Sequence, residues 1–452
     1  MGKFEQRILK KLDEWAAEGL ITAEQAEAIR AREPAPKSSP PWGILIFAGF
    51  GAVVLGLGVI LLFAYNWDQM HKFAKLAVVF GALVAAHGTG IILRRRNLPE
   101  GFSDAAFLTG TMMFGAGIWL VAQIYHISAH YPNAFIVWAA GALMLAWILP
   151  SVTQGLLASV LISAWACCEA ASYSNHLAGA PLLVAAGTGW LAWRLRSPVL
   201  LAGTSVSFVV STVVGLAFDG ECVMPVLLGT ALLLASASWI SRDHRNFPSA
   251  ARVFSVIGTI LYLPLLFILT FHDVIKETLP DAYHHLDLPS LTEWAPAALL
   301  IVAVLGFTCL AFYRAAAEKR LNTPEFRNQL LAPLLFSTIY LISWLTLIPT
   351  ASQFSDRAAV SIVICAAANA IFIYHMVANL WTGCRDTVLQ RVVGGSLMLA
   401  VWIFARFADL FDSLLVRGAM FIVMGGALFA VAVIYHRKKK HVVPAHNPGK
   451  EH

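Results

Sequence analysis

Apolar residues in this chain come in runs of near-membrane length separated by short polar gaps. A helix needs about 20 mostly apolar residues to cross the hydrocarbon layer, where every backbone polar group must be satisfied within the segment. In the first half the runs predict transmembrane helices over 42–65, 73–93, 104–125, 134–149, 154–171, 177–193 and 199–218. In the second half they predict 223–240, 251–271, 295–313, 330–349, 358–380, 388–409 and 414–435. The expected fold is therefore all-α: a polytopic helical membrane protein with about 14 transmembrane helices. The runs 154–171 and 177–193 are short enough to form one re-entrant pair instead.

The first 36 residues follow a different pattern. Phe4, Ile8, Leu9, Leu12, Trp15 and Ala16 recur at helical spacing, and Gly19, Leu20 and Ile21 make a turn after them. Thr22 with Gln25 then forms a Thr-x-x-Gln capping box that opens a second helix through Ala26 and Ile29 toward Arg32. A cleavable secretory signal would place its apolar stretch close behind the first charges, and this segment does not. The predicted organisation is a cytoplasmic helical hairpin over 1–36, a Pro-rich linker over 37–41, a transmembrane domain over 42–435 and a basic tail over 436–452.

Composition supports the membrane assignment. Hydrophobic residues make up 58% and charged residues 13%, with a mean hydropathy of +0.70, whereas a soluble domain carries about a quarter charged residues. Charge also orients the spans. With the amino end cytoplasmic, an alternating path leaves only Lys72, Lys75, Lys276, Arg357, Arg406 and Arg417 of the 32 Lys and Arg residues outside. Short cytoplasmic loops collect Lys and Arg, so an even number of spans with both ends inside fits. The net charge of +6 is then explained by basic residues facing an anionic inner leaflet, and no nucleic-acid partner is needed.

Soluble-enzyme signatures are missing: there is no phosphate loop, HExxH, GxSxG or GxGxxG after a strand. The six cysteines have no CxxC spacing and indicate neither a disulfide framework nor a zinc site. No cofactor, catalytic set or metal site is expected. His126 and His130 stand four apart, as ligands on a helix would, and an outer loop holds Asp281, His284, His285 and Asp287, but a third ligand at diagnostic spacing is lacking. Gly110 and Gly115 read as helix-packing positions, and His87 as a helix-packing histidine.

Polar residues gather on the outer side. Asn66 and Asp68 follow the first span, Gln123 and His126 end the third, and Arg406 and Asp409 share a face near the end of the thirteenth, with Arg417 opening the last. Charges at membrane depth are expensive and are paired or aimed at a wet cavity, so these seven residues form the candidate polar centre. An ion pair locking two helices is the structural alternative for Arg406 and Asp409. Glu169, near the outer end of its span, is a further ionisable candidate.

Lys11 to Arg30, with Trp15, Glu18 to Thr22 and Gln25, resembles the opening of the bacterial membrane-protein family of domain of unknown function 2157. Gly58 to Asp68, ending Phe-Ala-Tyr-Asn-Trp-Asp, and Gly115 to Ser128, with its Ala-Gln-Ile-Tyr-His-Ile-Ser, are similar to other segments of that family. The resemblance implies a bacterial inner-membrane location and a cytoplasmic amino-terminal hairpin; it brings no activity or catalytic residues.

Three functions compete. A transporter-like or flippase-like protein would use the outer polar centre for a polar or anionic envelope solute. Arg406 and Arg417 would attract the anion, Asp409 would hold Arg406, and Asn66, Gln123 and His126 would give directional bonds. An integral-membrane enzyme on a lipid-linked substrate would need Asp68 or Asp409 as base near His126. A scaffold or assembly subunit would use the hairpin and the loop Phe271 to Trp294. The expected partners are the lipid bilayer and either an envelope solute or another membrane protein.

Overall fold

The computed structural model describes residues 11–27 apart from 13 and 23, residues 70–410 apart from 98, 128–129, 178, 217–221, 280–290 and 351–353, and 422, 425–426, 429–430 and 433. For 291–297, 346–350, 354–357 and 407–410 it describes the backbone alone. The expected span 42–65, nearly all of 414–435, the linker and the tail lie outside the described residues. Residues 1–80 and 81–452 form two compact units, each described by itself.

In the first unit the capping box forms as its sequence requires. The Thr22 N–H donates to Gln25 Oε1 at 3.0 Å and the Gln25 N–H to Thr22 Oγ1 at 3.2 Å, satisfying two of the free amides at a helix start. Gly19 makes the preceding turn at φ +72°, a conformation that costs glycine little because it has no Cβ.

The helices are α1 (Lys72–Arg95), α2 (Glu100–Ile124), α3 (Asn133–Ile148) and α4 (Val152–Tyr173). Next comes α5, built from Ala180–Leu183, a wide π turn over Val184–Gly189, and Trp190–Leu195. It is followed by α6 (Pro198–Leu216), α7 (Val223–Ser241), α8 (Ser249–Ile268), the short α9 (His272–Thr278) and α10 (Leu291–Ala317). The last three are α11, which joins Pro324–Phe326, a π turn over Arg327–Leu331 and Ala332–Thr350, then α12 (Phe354–Arg385) and α13 (Leu389–Leu410). Among the described residues there is no strand, and ten helices are long and apolar enough to cross a membrane. The protein is an all-α, polytopic helical membrane protein.

Its interior is composed accordingly. Large side chains such as Trp190, Tyr313, Trp381 and Phe404 are exposed on the helices, while Ala142, Ala146, Ala158, Ser159, Ser211 and Thr230 are buried between them. Lipid solvates the large apolar groups, and small residues let backbones approach. Buried hydroxyls are satisfied within their own helices: Ser159 Oγ donates to the Gly155 carbonyl at 2.9 Å and Thr230 Oγ1 to that of Val226 at 2.7 Å.

Packing runs α2 on α3, α3 on α4, α4 on α6, then α6 on α7 and α8; α7 also packs on α10, and α12 on α8, α11 and α13. Glycines set the first contacts. The ring of Trp138 fills the space beside Gly115 and His87 that beside Gly110, so both glycines and His87 are packing residues as expected. His87 Nδ1 also bonds the Leu83 carbonyl at 3.0 Å.

The connections rich in arginine gather at one end. Arg314 donates to the Ile240 carbonyl, Arg320 pairs with Asp243 at 3.0 Å, Arg391 with Asp386 at 3.2 Å, and Trp193 in the last turn of α5 meets His244 edge to face. Cations there meet helix carboxyl ends, whose free carbonyls they complement. At this end Ser151 caps α4, its Oγ accepting from the Gln154 N–H at 3.4 Å and donating to Asp104 Oδ2 at 3.2 Å. Ser151→Ala should cost about 1 kcal/mol, read as a lower midpoint in thermal unfolding of the detergent-purified protein; an unchanged midpoint would mean the cap carries no weight.

Candidate functional site

Of the seven sequence-derived positions, Asn66, Asp68 and Arg417 lie outside the described residues, and Asp409 is described in its backbone only. Gln123 and His126 are exposed at the end of α2. His126 has a left-handed φ of 51°, and the Ile127 N–H after it closes back on the Ala122 carbonyl at 2.9 Å. This left-handed residue with a six-to-one bond is how many helices end. Because α2 stops at Ile124, His126 and His130 do not share a helix face as their spacing suggested. Among the described residues no group of three metal-ligating side chains forms.

His130 instead meets Glu169. The carboxylate, 3% exposed, accepts from His130 Nε2 at 2.7 Å, from Trp165 Nε1 at 3.3 Å and from Asn175 Nδ2 at 3.1 Å. The fold explains the convergence: α4 terminates at left-handed Ser174, the Asn175 N–H bonds the Glu169 carbonyl, and the turn brings the amide side chain back over the carboxylate. Glu169 is thus buried and fully bonded, not exposed at the interface. Tyr131 and Ser172 join hydroxyls 2.5 Å apart beside it.

Arg406 is also buried. Its NH2 donates to the Thr270 carbonyl at 2.7 Å and to Thr270 Oγ1 at 2.6 Å, and its guanidinium lies 4.4 Å from the Phe271 ring centre. It therefore neutralises the carboxyl end of α8. Beyond α1, α2 packs on α3 and α4, whereas α13 packs on α12 and reaches the end of α8 through Arg406, so the described members of the candidate centre belong to different helix groups.

What converges on Arg406 is the face of α12. The Thr270 carbonyl also accepts from Asn369 Nδ2 at 3.1 Å and Cys365 Sγ at 3.2 Å, Asn369 Oδ1 accepts from Trp402 Nε1 at 3.2 Å, and Ser361 bonds His272 at 2.9 Å. Further along, His375 Nδ1 donates to Asn328 Oδ1 at 2.6 Å, and Asn328 Nδ2 donates to Asn379 Oδ1 at 3.4 Å. Ser361, Cys365, Asn369, His375 and Asn379 lie within an arc of about 120° and span about 27 Å of helix. That is close to the thickness of a hydrocarbon core. Between the two polar groups stands Phe372, 3% exposed and 5.6 Å from the Phe267 ring.

The second group borders a cavity of about 130 Å³ lined by Tyr262, Ser255, Thr259, Asn328, Gln329, His375 and Asn379 together with apolar neighbours. Two irregular helices frame it. Pro264 removes an amide from the interior of α8, and the π turn of α11 carries Asn328 and Gln329, widening the helix where it faces the cavity. Gln329 is fixed from the arginine-rich end by Arg242, which donates to its Oε1 at 3.0 Å and stacks 4.0 Å over Trp239. Desolvation pulls this half-buried guanidinium below its ordinary pKa, while Glu325 acts the other way. Ser361, Cys365 and Asn369, and likewise His375 and Asn379, recur at four-residue spacing in the sequence, the signal from which this face could have been read. Tyr262 and Asn328, on other helices, gave no such sign.

Residues 13–154 match the family described as Predicted membrane protein (DUF2157), the family whose segments the amino-terminal third resembles. The match includes Gln123 and His126 and ends before the helices that build the cavity. No curated protein matches the chain, and neither does any solved structure.

Proposed function

We propose that the protein is a transporter-like protein of the bacterial inner membrane, with both termini cytoplasmic, that passes a small polar envelope solute through the helices around α12. Support comes chiefly from the polar face of α12, which runs for a membrane thickness inside the bundle. Arg406, Asn369 and Thr270 form the outward polar centre; the cavity at His375 is the inward end, and Phe372 with Phe267 separates the two. Gln123 and His126 guide solute at the outer surface. The arginine-rich end faces the cytoplasm by the positive-inside rule. Broken helices around a buried polar cavity are the arrangement transporters use to expose backbone only where it lines a cavity.

Proteoliposomes loaded with a panel of labelled small polar and anionic solutes test the role. The full-length protein should release at least one solute faster than empty vesicles, and Asn369→Leu and Arg406→Ala should each slow that release by about tenfold or more. Release no faster than from empty vesicles for the whole panel, or variants equal to wild type, would remove the transport function.

A further inference from the structure

The geometry points to a specific ligand chemistry for the cavity between α8, α11 and α12: we propose that it binds a small uncharged solute rich in hydroxyl or amide groups, such as a short polyol. This inference deepens the transport role and rests on it for its biological purpose, though not for its test.

Two buried polar atoms facing the cavity, His375 Nε2 and the Tyr262 hydroxyl, have no hydrogen-bond partner among the described residues. Both side chains are more than nine-tenths buried, at 3% and 5% exposure, and their rings meet edge to face 5.5 Å apart. Buried polar atoms are nearly always bonded, so two on one cavity wall require an account. Their chemistry specifies the ligand. Asn328 Oδ1 can only accept, so His375 Nδ1 carries the proton of the 2.6 Å bond, and the Nε2 of the neutral ring presents a lone pair to the cavity. A ligand must bring a donor to that lone pair. The phenol of Tyr262 can donate or accept, which suits a hydroxyl or an amide.

Charge narrows the class further. Among the described residues no Asp or Glu lines the cavity, so nothing there balances a cationic ligand. An anion such as a carboxylate is an acceptor and would face the His375 lone pair, while the guanidinium of Arg242 is engaged with the lining residue Gln329 at 3.0 Å. Size sets the upper bound. A cavity of about 150 Å³ holds a benzene-sized ring, so about 130 Å³ admits roughly six non-hydrogen atoms.

Saturation-transfer NMR on the full-length protein in lipid nanodiscs tests the site, with glycerol as the probe and acetate and methylammonium as charged controls of similar or smaller size. Glycerol should give a saturable response that weakens about tenfold in Tyr262→Phe and more in His375→Phe, and both controls should bind far more weakly. Tyr262→Phe removes only an oxygen with no partner among the described residues, so it should unfold at the wild-type temperature and reports on the site alone. No saturable glycerol response, as expected if water alone occupies the cavity, would overturn the proposal. So would a response unaltered in Tyr262→Phe, or acetate binding as tightly as glycerol. Saturable glycerol binding without vesicle release would reject the transport role and leave the ligand class standing; release of another solute without glycerol binding would do the reverse.

Discussion

Glu169→Ala should destabilise the folded protein by about 3 kcal/mol, because it strips three donors of their common acceptor. The carboxylate takes bonds from Trp165 on α4, from Asn175 in the turn after it and from His130 in the connection between α2 and α3. With the acid gone, the indole N–H of half-buried Trp165 is left unpaired, at about 1–3 kcal/mol where water does not reach, while the exposed amide of Asn175 recovers solvent. His130, at 36% side-chain exposure, recovers solvent and loses less. Glu169→Gln keeps the shape and one acceptor oxygen but turns a donor toward the others, so its cost should fall between wild type and Ala. Equilibrium unfolding of purified protein, followed by tryptophan fluorescence, would check the order. Both variants within about 0.5 kcal/mol of wild type would place Glu169 outside the structural framework.

Gly115→Leu should be comparably damaging, for a steric reason. A Cβ at Gly115 would stand 2.1–2.5 Å from three ring atoms of Trp138, inside any real contact distance. The indole cannot swing away freely, since its Nε1 donates to the Thr111 carbonyl at 2.8 Å, one turn earlier on α2. Accommodating even Ala means breaking that bond or parting α2 from α3, at about 1–3 kcal/mol; Leu adds a branched chain to the same gap and should cost more. Gly101→Ala supplies the control on the same helix, where a Cβ meets nothing within 4 Å. Unfolding midpoints in the order Gly101→Ala, Gly115→Ala, Gly115→Leu would support the packing role. A Gly115→Leu midpoint equal to wild type would show that the interface repacks.

Most of the helices were legible before any coordinates, and the reason is energetic. Unpaired amides cost so much in hydrocarbon that a run of apolar residues such as 198–216 has one acceptable backbone, and its length alone reports the span. Shorter runs are less determinate: α3 has 16 residues, and α5 carries a π turn that hydrophobicity does not encode. The capping box at Thr22 and Gln25 was readable because its two bonds link residues three apart. The gathering of arginines at one helix end was also legible, since each connection reports its own charge.

The polar sites were legible in only one respect. Arg406 stood out because a charge inside an apolar run is costly wherever it sits, yet its bond to Thr270 joins positions far apart in the chain and is invisible to periodicity. Glu169 stood out as an ionisable group near the end of its span, yet the turn at Ser174 that folds Asn175 back over it was not readable. His126 and His130 looked like a helical pair until the left-handed turn at His126 separated them.

The sequence by itself determined that the chain is helical, that it lies in lipid and which helix ends carry positive charge, because each follows from local transfer energies. Only the tertiary structure decided that His375, Tyr262 and Asn328, drawn from three helices, border one cavity. Neutral polar groups in a membrane span cost little enough to appear anywhere along it, so only their meeting in space marks them as a site.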